Sequence, residues 1–279
     1  MLMPFQNILL IGAGVSSTDI ARELGPVAAA VYQSSRGGDL DLPSSFLPPN
    51  AVRIGGVDKF NHAAIIPNEL KSPEPIPGTV TLANGSKLCN IHHVILCTGY
   101  MTSYPFLKQY HHDNLHIDQA TPDTLVTAEG SQVHNLHKDI FYIPDPTLAF
   151  IGAPYHTATF SLFEFQAMAL ARVYAGTCRL PSKDEMRAEY DEKKRRKGLG
   201  RDFHSLRGFG EEEAYVDELV EWVNRYAGMY GLERMKGHSG EWHAANKARG
   251  ELRWLRERKG KRGEPGRDEV EAPSFLGLC

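Results

Sequence analysis

Cysteine is scarce in this sequence and scattered. Cys89, Cys97, Cys178 and Cys279 form neither a metal-binding spacing nor the paired framework of a small secreted domain. Free thiols in a reducing compartment are the simple expectation. No apolar run reaches the length of a membrane span, and the first residues do not resemble a secretory leader. A cytoplasmic protein without a membrane span is expected. An excess of one charge is also missing: 31 Lys and Arg residues face 34 Asp and Glu residues. That balance argues against nucleic acid as a partner. There is no internal repeat, and no nucleophile or acid–base pair stands out. The 279 residues suffice for one large domain or two small ones.

What is present begins at once. Ile8-Leu9-Leu10-Ile11 is an apolar run that stops at Gly12-Ala13-Gly14, and Val15-Ser16-Ser17 opens a helical pattern. A strand, a glycine turn and a helix in that order form the cradle of a dinucleotide pyrophosphate. Gly12 permits the tight turn, and Gly14 lets the backbone approach the phosphates. The helix N-terminus offers unpaired N–H groups and partial positive charge. Ser17 takes the usual third-glycine position; it is small enough for close helix–strand packing, and its hydroxyl is within reach of a phosphate. Ile20, Ala21 and Leu24 continue at helical spacing until Gly25-Pro26, and Val27 to Gln33 reads as the next strand. A glycine turn without a ligand is the plain alternative.

The end of that second strand selects the cofactor. NAD and FAD sites usually carry Asp or Glu there, bonded to the ribose hydroxyls. This chain reads Gln33-Ser34-Ser35-Arg36, with no carboxylate to repel a 2′-phosphate. Arg36 can pair with that phosphate while Ser34 and Ser35 donate hydrogen bonds. NADP(H) is therefore expected over NAD(H) or FAD; the alternative is that Arg36 is a solvated surface residue.

Residues 40 to 78 are rich in proline, glycine and asparagine and predict short strands and loops. Thr79 to Leu82 followed by Asn84-Gly85 predicts a hairpin with a two-residue turn, both positions at positive φ. Val94 to Cys97 predicts a third buried parallel strand, with Thr98-Gly99-Tyr100 beside the cofactor crevice at its carboxyl end. His111, His112, His116, His134 and His137 match no compact zinc site and read as surface loop residues, so no metal is expected. Thr147 to Gly152 reads as another strand. Thr157 to Ala175 is apolar almost all round and predicts a buried helix, in which Glu164 and Gln166 need partners; a bond to nearby backbone is the alternative for both. The charged stretch from Lys183 to Arg201 reads as a solvated helix, Val216 to Tyr230 as an amphipathic one, and Gly198-Leu199-Gly200 and Gly208-Phe209-Gly210 as loops. The tail from Arg256 to Gly266 reads as disordered.

Together these stretches resemble the flavin-containing monooxygenases of the fungal, class B type. Gly12-Ala13-Gly14-Val15-Ser16-Ser17 looks like the family's second glycine motif, which holds NADPH. Ser34-Ser35-Arg36 falls where the family reads the 2′-phosphate. Cys97-Thr98-Gly99-Tyr100 with Ser103-Tyr104-Pro105-Phe106-Leu107 is similar to its Ala-Thr-Gly-Tyr linker, Cys97 replacing alanine. Pro146 to Gly152, the helix carrying Gln166, and Leu180-Pro181-Ser182 resemble the returning part of the FAD domain, which puts Gly152 and Gln166 on the flavin side. The resemblance runs from about Ile8 to Glu185, and the combination is more specific than any one motif.

The resemblance implies an α/β fold: a Rossmann-like NADP(H)-binding domain at 1–100, the returning part of an FAD-binding domain at 101–182, and a helical C-terminal region at 183–279. It implies NADPH and FAD as cofactors, and molecular oxygen and a small substrate with a nucleophilic nitrogen or sulfur as partners. In such chemistry the protein places cofactors and excludes water, so no catalytic triad is needed. Two family features are not present in this sequence: an earlier glycine motif for the FAD pyrophosphate, and a Phe-x-Gly-x-x-x-His fingerprint before the NADPH strand. The expectation is a chain that matches the family from its NADPH domain onward and does not by itself hold FAD stoichiometrically. A non-catalytic NADP(H)-binding remnant, associating with itself or with a full-length homologue, is the second reading. A disulfide reductase ranks last, because Cys89 and Cys97 are too far apart for a local redox pair.

Overall fold

The computed structural model describes residues 6–38, 40–62 and 74–248. The chain forms two compact units that divide between Gly99 and Tyr100. The expected disordered tail and Cys279 lie outside the described residues.

The first unit is built on four parallel strands: β1 (Asn7–Ile11), β2 (Ala30–Ser34), β3 (Ala51–Ile54) and, later in the chain, β7 (His93–Leu96). Their spatial order is β3-β2-β1-β7. Ile8 to Ile11 pair with Val31 to Ser34 on one side and with His93 to Leu96 on the other. The three predicted strands thus share one sheet. The second begins at Ala30 rather than Val27, because the Val27 and Ala28 amides still bond back to the Leu24 carbonyl.

Side-chain alternation makes the layers. Ile8, Leu10 and Val31 face α1 (Val15–Leu24), meeting its Ala21 and Leu24. Leu9, Ala30 and Tyr32 face the other way, onto Val80, Leu82, Leu88 and Ile91. That second layer is an antiparallel sheet of β4 (Val57–His62), β5 (Gly78–Leu82) and β6 (Lys87–Leu88). The predicted hairpin joins β5 to β6 with a different turn. Only Gly85 takes positive φ, and its amide bonds the Leu82 carbonyl at 2.9 Å while Leu82 bonds Ser86 at 2.8 Å. This is a three-residue loop closed by a left-handed glycine, the next commonest hairpin solution.

In the second unit, α2 (Thr159–Tyr174) and α4 (Glu211–Ala227) enclose a core of Leu162, Phe165, Ala169, Val216, Leu219, Trp222 and Val223. The same unit holds the short strand pairs β8 (His111–His112) with β9 (Val126–Thr127) and β10 (Leu136–His137) with β11 (Phe141–Tyr142), and α3 (Lys183–Lys197) packs against β10. The capping box of Ser182 and Glu185 starts α3, whose Met186 and Tyr190 pack on Ile143 and Phe203. Residues 101–182 and the helices that follow therefore share one unit.

Several expectations are corrected here. Thr147 to Gly152 is no strand: a single bridge joins Ala149 to Phe141, because the turn at Asp145 to Leu148 brings the chain back for only that length. Helix α2 is not buried all round. Phe160 at its first turn is 92% exposed, and the buried stripe is Leu162, Phe165, Gln166 and Ala169, flanked by half-buried Phe163, Met168, Leu170 and Val173. Cys97 and Cys178 are free, but Cys89 is disulfide-bonded rather than a free thiol.

Candidate functional site

The carboxyl edge of the parallel sheet carries the glycine turn. Strand β1 ends as the Gly12 amide bonds the Ser34 carbonyl at 3.0 Å and the Cys97 amide bonds the Ile11 carbonyl at 2.8 Å. Three strand ends thus converge there. Gly12 sits at φ +115°, and a β-carbon on it would stand 2.4 Å from the Cys97 carbonyl oxygen. Only glycine fits that approach. Gly14 caps α1 without any side-chain hydrogen bond, and the first turn of α1 holds no acidic residue. Val15 and Ser16 in that turn are exposed. An uncapped, unshielded helix N-terminus at a glycine turn matches the donor set a pyrophosphate needs.

A buried polar network supports the turn from below. The Ser17 hydroxyl donates to the Gly14 carbonyl at 3.1 Å and accepts from Gln33 Nε2 at 2.8 Å, while Thr18 Oγ1 donates to the same carbonyl at 3.0 Å. Arg53 Nε donates to Gln33 Oε1 at 2.8 Å, and its NH2 donates to the Leu42 carbonyl at 2.7 Å. The Leu42 amide in turn bonds the Ala13 carbonyl at 2.9 Å. Ser17 is therefore fully buried and engaged inside the fold. It fixes the turn's carbonyl rather than reaching outward.

Ser34, Ser35 and Arg36 lie at the end of β2 as expected, but with partners that the local sequence does not announce. Ser34 Oγ donates to the Gly55 carbonyl at 3.0 Å. Ser35 Oγ donates to the Asp41 carboxylate and accepts the Gly37 amide hydrogen at 2.9 Å. The absence of a carboxylate, read from residues 33–36, is thus corrected by the fold: the loop after β2 turns back and brings Asp41 to Ser35. Arg36 is exposed and makes no ion pair among the described residues, its stem lying along Gly56. Arg53 and Asp41 are the residues that sequence reasoning missed. Neither carries a local signal, since each acts across a loop closure. Beyond β7, Thr98 and Gly99 are exposed, with Gly99 at φ +85°. Tyr100, 90% exposed, begins the second unit.

Gly152 and Gln166, assigned from the resemblance alone, are in contact in the second unit. Gln166 is fully buried; its Oε1 accepts the Gly152 amide hydrogen at 2.9 Å and its Nε2 donates to the Tyr215 hydroxyl at 2.7 Å. Gly152 is at φ +95°, and a β-carbon there would meet the Phe163 ring at 2.9 Å. Glu164 needs no such partner, because it is exposed.

His134 and His137 overturn the surface reading of the histidines, while His111 and His112 are half-buried in β8. His116 is exposed, between Asp118 at 2.7 Å and Glu129 at 3.1 Å. His134 and His137 are buried, each 1% exposed. Desolvation, reinforced by His204 and Lys194, pushes His134 down to about 4. Desolvation with Lys138 pushes His137 down to about 3. Glu189 comes within 3.3 Å of His137 without a hydrogen bond, and burial prevails, so the ring stays neutral. Near them lies Asp139, wholly buried. Burial would raise its pKa, but Lys193 at 2.5 Å and His204 at 2.9 Å outweigh that and hold it well below the usual carboxylate range. Lys193 comes from α3 and His204 from the turn after it, so Asp139 is held by partners distant in sequence. Among the described residues no three His, Cys, Asp or Glu side chains are placed to hold a metal ion, and no helix is long and apolar enough to cross a membrane.

A parallel sheet with a glycine turn at its carboxyl edge is the α/β fold of dinucleotide-binding domains. Residues 74–232, more than half of the chain, match the flavin-binding monooxygenase-like family, and the chain belongs to that family. It is similar to the flavin-containing monooxygenase ustF2 of Aspergillus flavus, 46% identical over 243 residues covering 87% of this chain and 49% of that protein. Flavin-containing monooxygenase ustF1 of the same fungus is 38% identical over 86% of this chain and 43% of its own length. The chain spans about half the length of the curated relatives it matches. Among solved structures, S-allyl-L-cysteine S-oxygenase from Allium sativum superposes with a TM-score of 0.58 at 21% identity, over 96% of this chain and 52% of that one. That likeness shows the fold alone.

Proposed function

We propose that this chain provides the NADP(H)-binding part of a flavin-dependent monooxygenase reaction, in which one oxygen atom passes to a nucleophilic nitrogen or sulfur of a small molecule. The observation that carries this reading is the glycine turn: an uncapped α1 N-terminus, free of acidic residues, at the convergence of β1, β2 and β7. The turn amides and α1 N-terminus would hold the pyrophosphate, with Gly12 and Gly14 giving the clearance. Ser16, exposed in the first helical turn, would donate there, and the bonds among Gln33, Ser17 and Arg53 support the turn. Ser35 and Arg36 would receive the adenosine ribose and its 2′-phosphate, with Ser34, buried and bonded to the Gly55 carbonyl, supporting the strand end from beneath, and Thr98 and Gly99 would border the crevice. When bound, nicotinamide supplies hydride and flavin activates oxygen; the chain's own part is to place the dinucleotide and keep water out. Tyr100 stays with Thr98 and Gly99 beside that crevice, Gly152 and Gln166 belong to the flavin side in this proposal, and 101–182 to the returning FAD segment.

The second reading, a dinucleotide-binding module without activity of its own, has one observation in its favour. Among the described residues a single turn joins a parallel strand to a helix through glycine, so one pyrophosphate has a cradle here. Exposed Phe160 and Phe209, at 92% and 88%, give such a module apolar surface for association with another chain. Titration of the purified chain with NADPH, together with its flavin absorbance and NADPH oxidation in the presence of a thiol or amine, separates the readings. NADPH binding without flavin favours the module. One flavin per chain with substrate-stimulated oxidation favours the complete enzyme. No binding of NADPH overturns both.

A further inference from the structure

The loop that follows β2 returns across the glycine turn, and three contacts latch it there. The Leu42 amide bonds the Ala13 carbonyl at 2.9 Å, Arg53 holds the Leu42 carbonyl at 2.7 Å, and Asp41 accepts the Ser35 hydroxyl. A β-carbon on Gly38 would lie 4.0 Å from Asp41 Oδ1, and one on Gly14 would lie 3.8 Å from the Leu40 carbonyl. The Asp41 carboxylate therefore sits between the glycine turn and the end of β2, where the adenosine ribose of a bound dinucleotide would lie.

Two opposite charges flank Ser35 there. Arg36, its neighbour in sequence, makes no ion pair among the described residues. Asp41 is bonded to Ser35 itself, and Arg53, the nearby cation on β3, spends its donors on Gln33 and Leu42 rather than on that carboxylate. We propose that Asp41 is the residue that sets discrimination between 2′-phosphorylated and 2′-hydroxyl dinucleotides, acting against the phosphate. It does so in two ways. Its charge repels the phosphate dianion at close range. It also accepts the hydrogen bond of the Ser35 hydroxyl, so the serine cannot donate to a phosphate until that bond is broken. A 2′-hydroxyl meets neither cost. The sequence at the end of β2 favours NADP(H), and Asp41 limits that preference. This inference rests on the dinucleotide reading of the glycine turn.

The test is calorimetric titration of the full 279-residue chain and its Asp41→Asn variant with NADPH, NADH, 2′,5′-ADP and 5′-AMP. Asparagine keeps the size of the side chain and removes the charge; circular dichroism confirms folding, and Asp41→Ser serves if the first variant does not fold. The expected result is about tenfold tighter binding of NADPH and 2′,5′-ADP, with NADH and 5′-AMP within about twofold of the parent, and a gain that shrinks as salt is raised. Unchanged or weaker NADPH binding overturns the proposal, as does an equal gain for all four ligands. If neither dinucleotide binds parent or variant, the glycine-turn reading itself fails and this inference falls with it. Normal binding of both dinucleotides that Asp41→Asn leaves untouched removes the inference alone.

Discussion

The amide of Gly152 is held by the side chain of Gln166, whose Oε1 accepts its hydrogen at 2.9 Å. The other end of that amide group is fixed as well. Tyr215 donates its hydroxyl proton to the Lys138 carbonyl at 2.6 Å, so its oxygen is free to accept from Gln166 Nε2. One buried glutamine therefore ties α2 to the chain entering it and to α4.

Gln166→Leu should destabilise the second unit by roughly 1–3 kcal/mol, since it leaves the half-buried Gly152 N–H without its acceptor and removes a second bond. Gln166→Glu should not restore it, because a carboxylate would turn lone pairs toward the Tyr215 oxygen. Urea unfolding followed by tryptophan fluorescence measures both. A Gln166→Leu midpoint equal to the parent's would show that the pair contributes nothing.

Gly12→Ala should cost roughly 2 kcal/mol or more, because a β-carbon at that positive φ must displace the Cys97 backbone. The shift would also move the amides proposed to cradle the pyrophosphate. Thermal unfolding and NADPH titration should fall together, and parent-like values in both would refute the close approach.

Arg36→Ala tests the proposed 2′-phosphate contact. A charge-assisted bond contributes about 1.5–3 kcal/mol, so NADPH affinity should drop about 10- to 100-fold and NADH affinity far less. Equal losses in a binding titration would remove Arg36 from that role.

Acid should destabilise the second unit from the ordinary histidine pKa of 6.5 downward. Burial lowers the folded-state pKa of His134 to about 4 from the ordinary 6.5. Below 6.5 the unfolded chain takes up a proton that the folded chain refuses, so stability falls as pH drops from 6.5 toward 4. His137, lowered to about 3, adds to the same slope and extends it. Asp139, whose pKa is lowered in the fold, contributes stability that is present above its unfolded value and lost as pH falls beneath it. His134→Asn should flatten the decline between pH 6.5 and 4, by roughly 2–4 kcal/mol over the whole span. Chemical denaturation at stepped pH reads this directly, and an unchanged slope would mean that His134 is protonated in the fold.

The sequence by itself determined the elements whose information is local. The Ile8–Ile11 run, the Gly12-Ala13-Gly14 turn and the α1 stripe lie within one stretch of chain, and period and glycine placement specify them. The same holds for the Val94–Cys97 run and for α4, whose apolar residues recur at helical spacing. What tertiary structure decided was every partner reached across a loop. Asp41 came to Ser35, and Arg53 came to Gln33 and Leu42. Lys193 and His204 drew Asp139 inward, and the same loop buried His134 and His137, residues that composition had placed at the surface. Periodicity reports which face of an element is apolar, and carries no record of which distant polar group will meet a buried one. That meeting is fixed only when the chain packs, because a desolvated charge must find its counter-charge wherever the fold has put one.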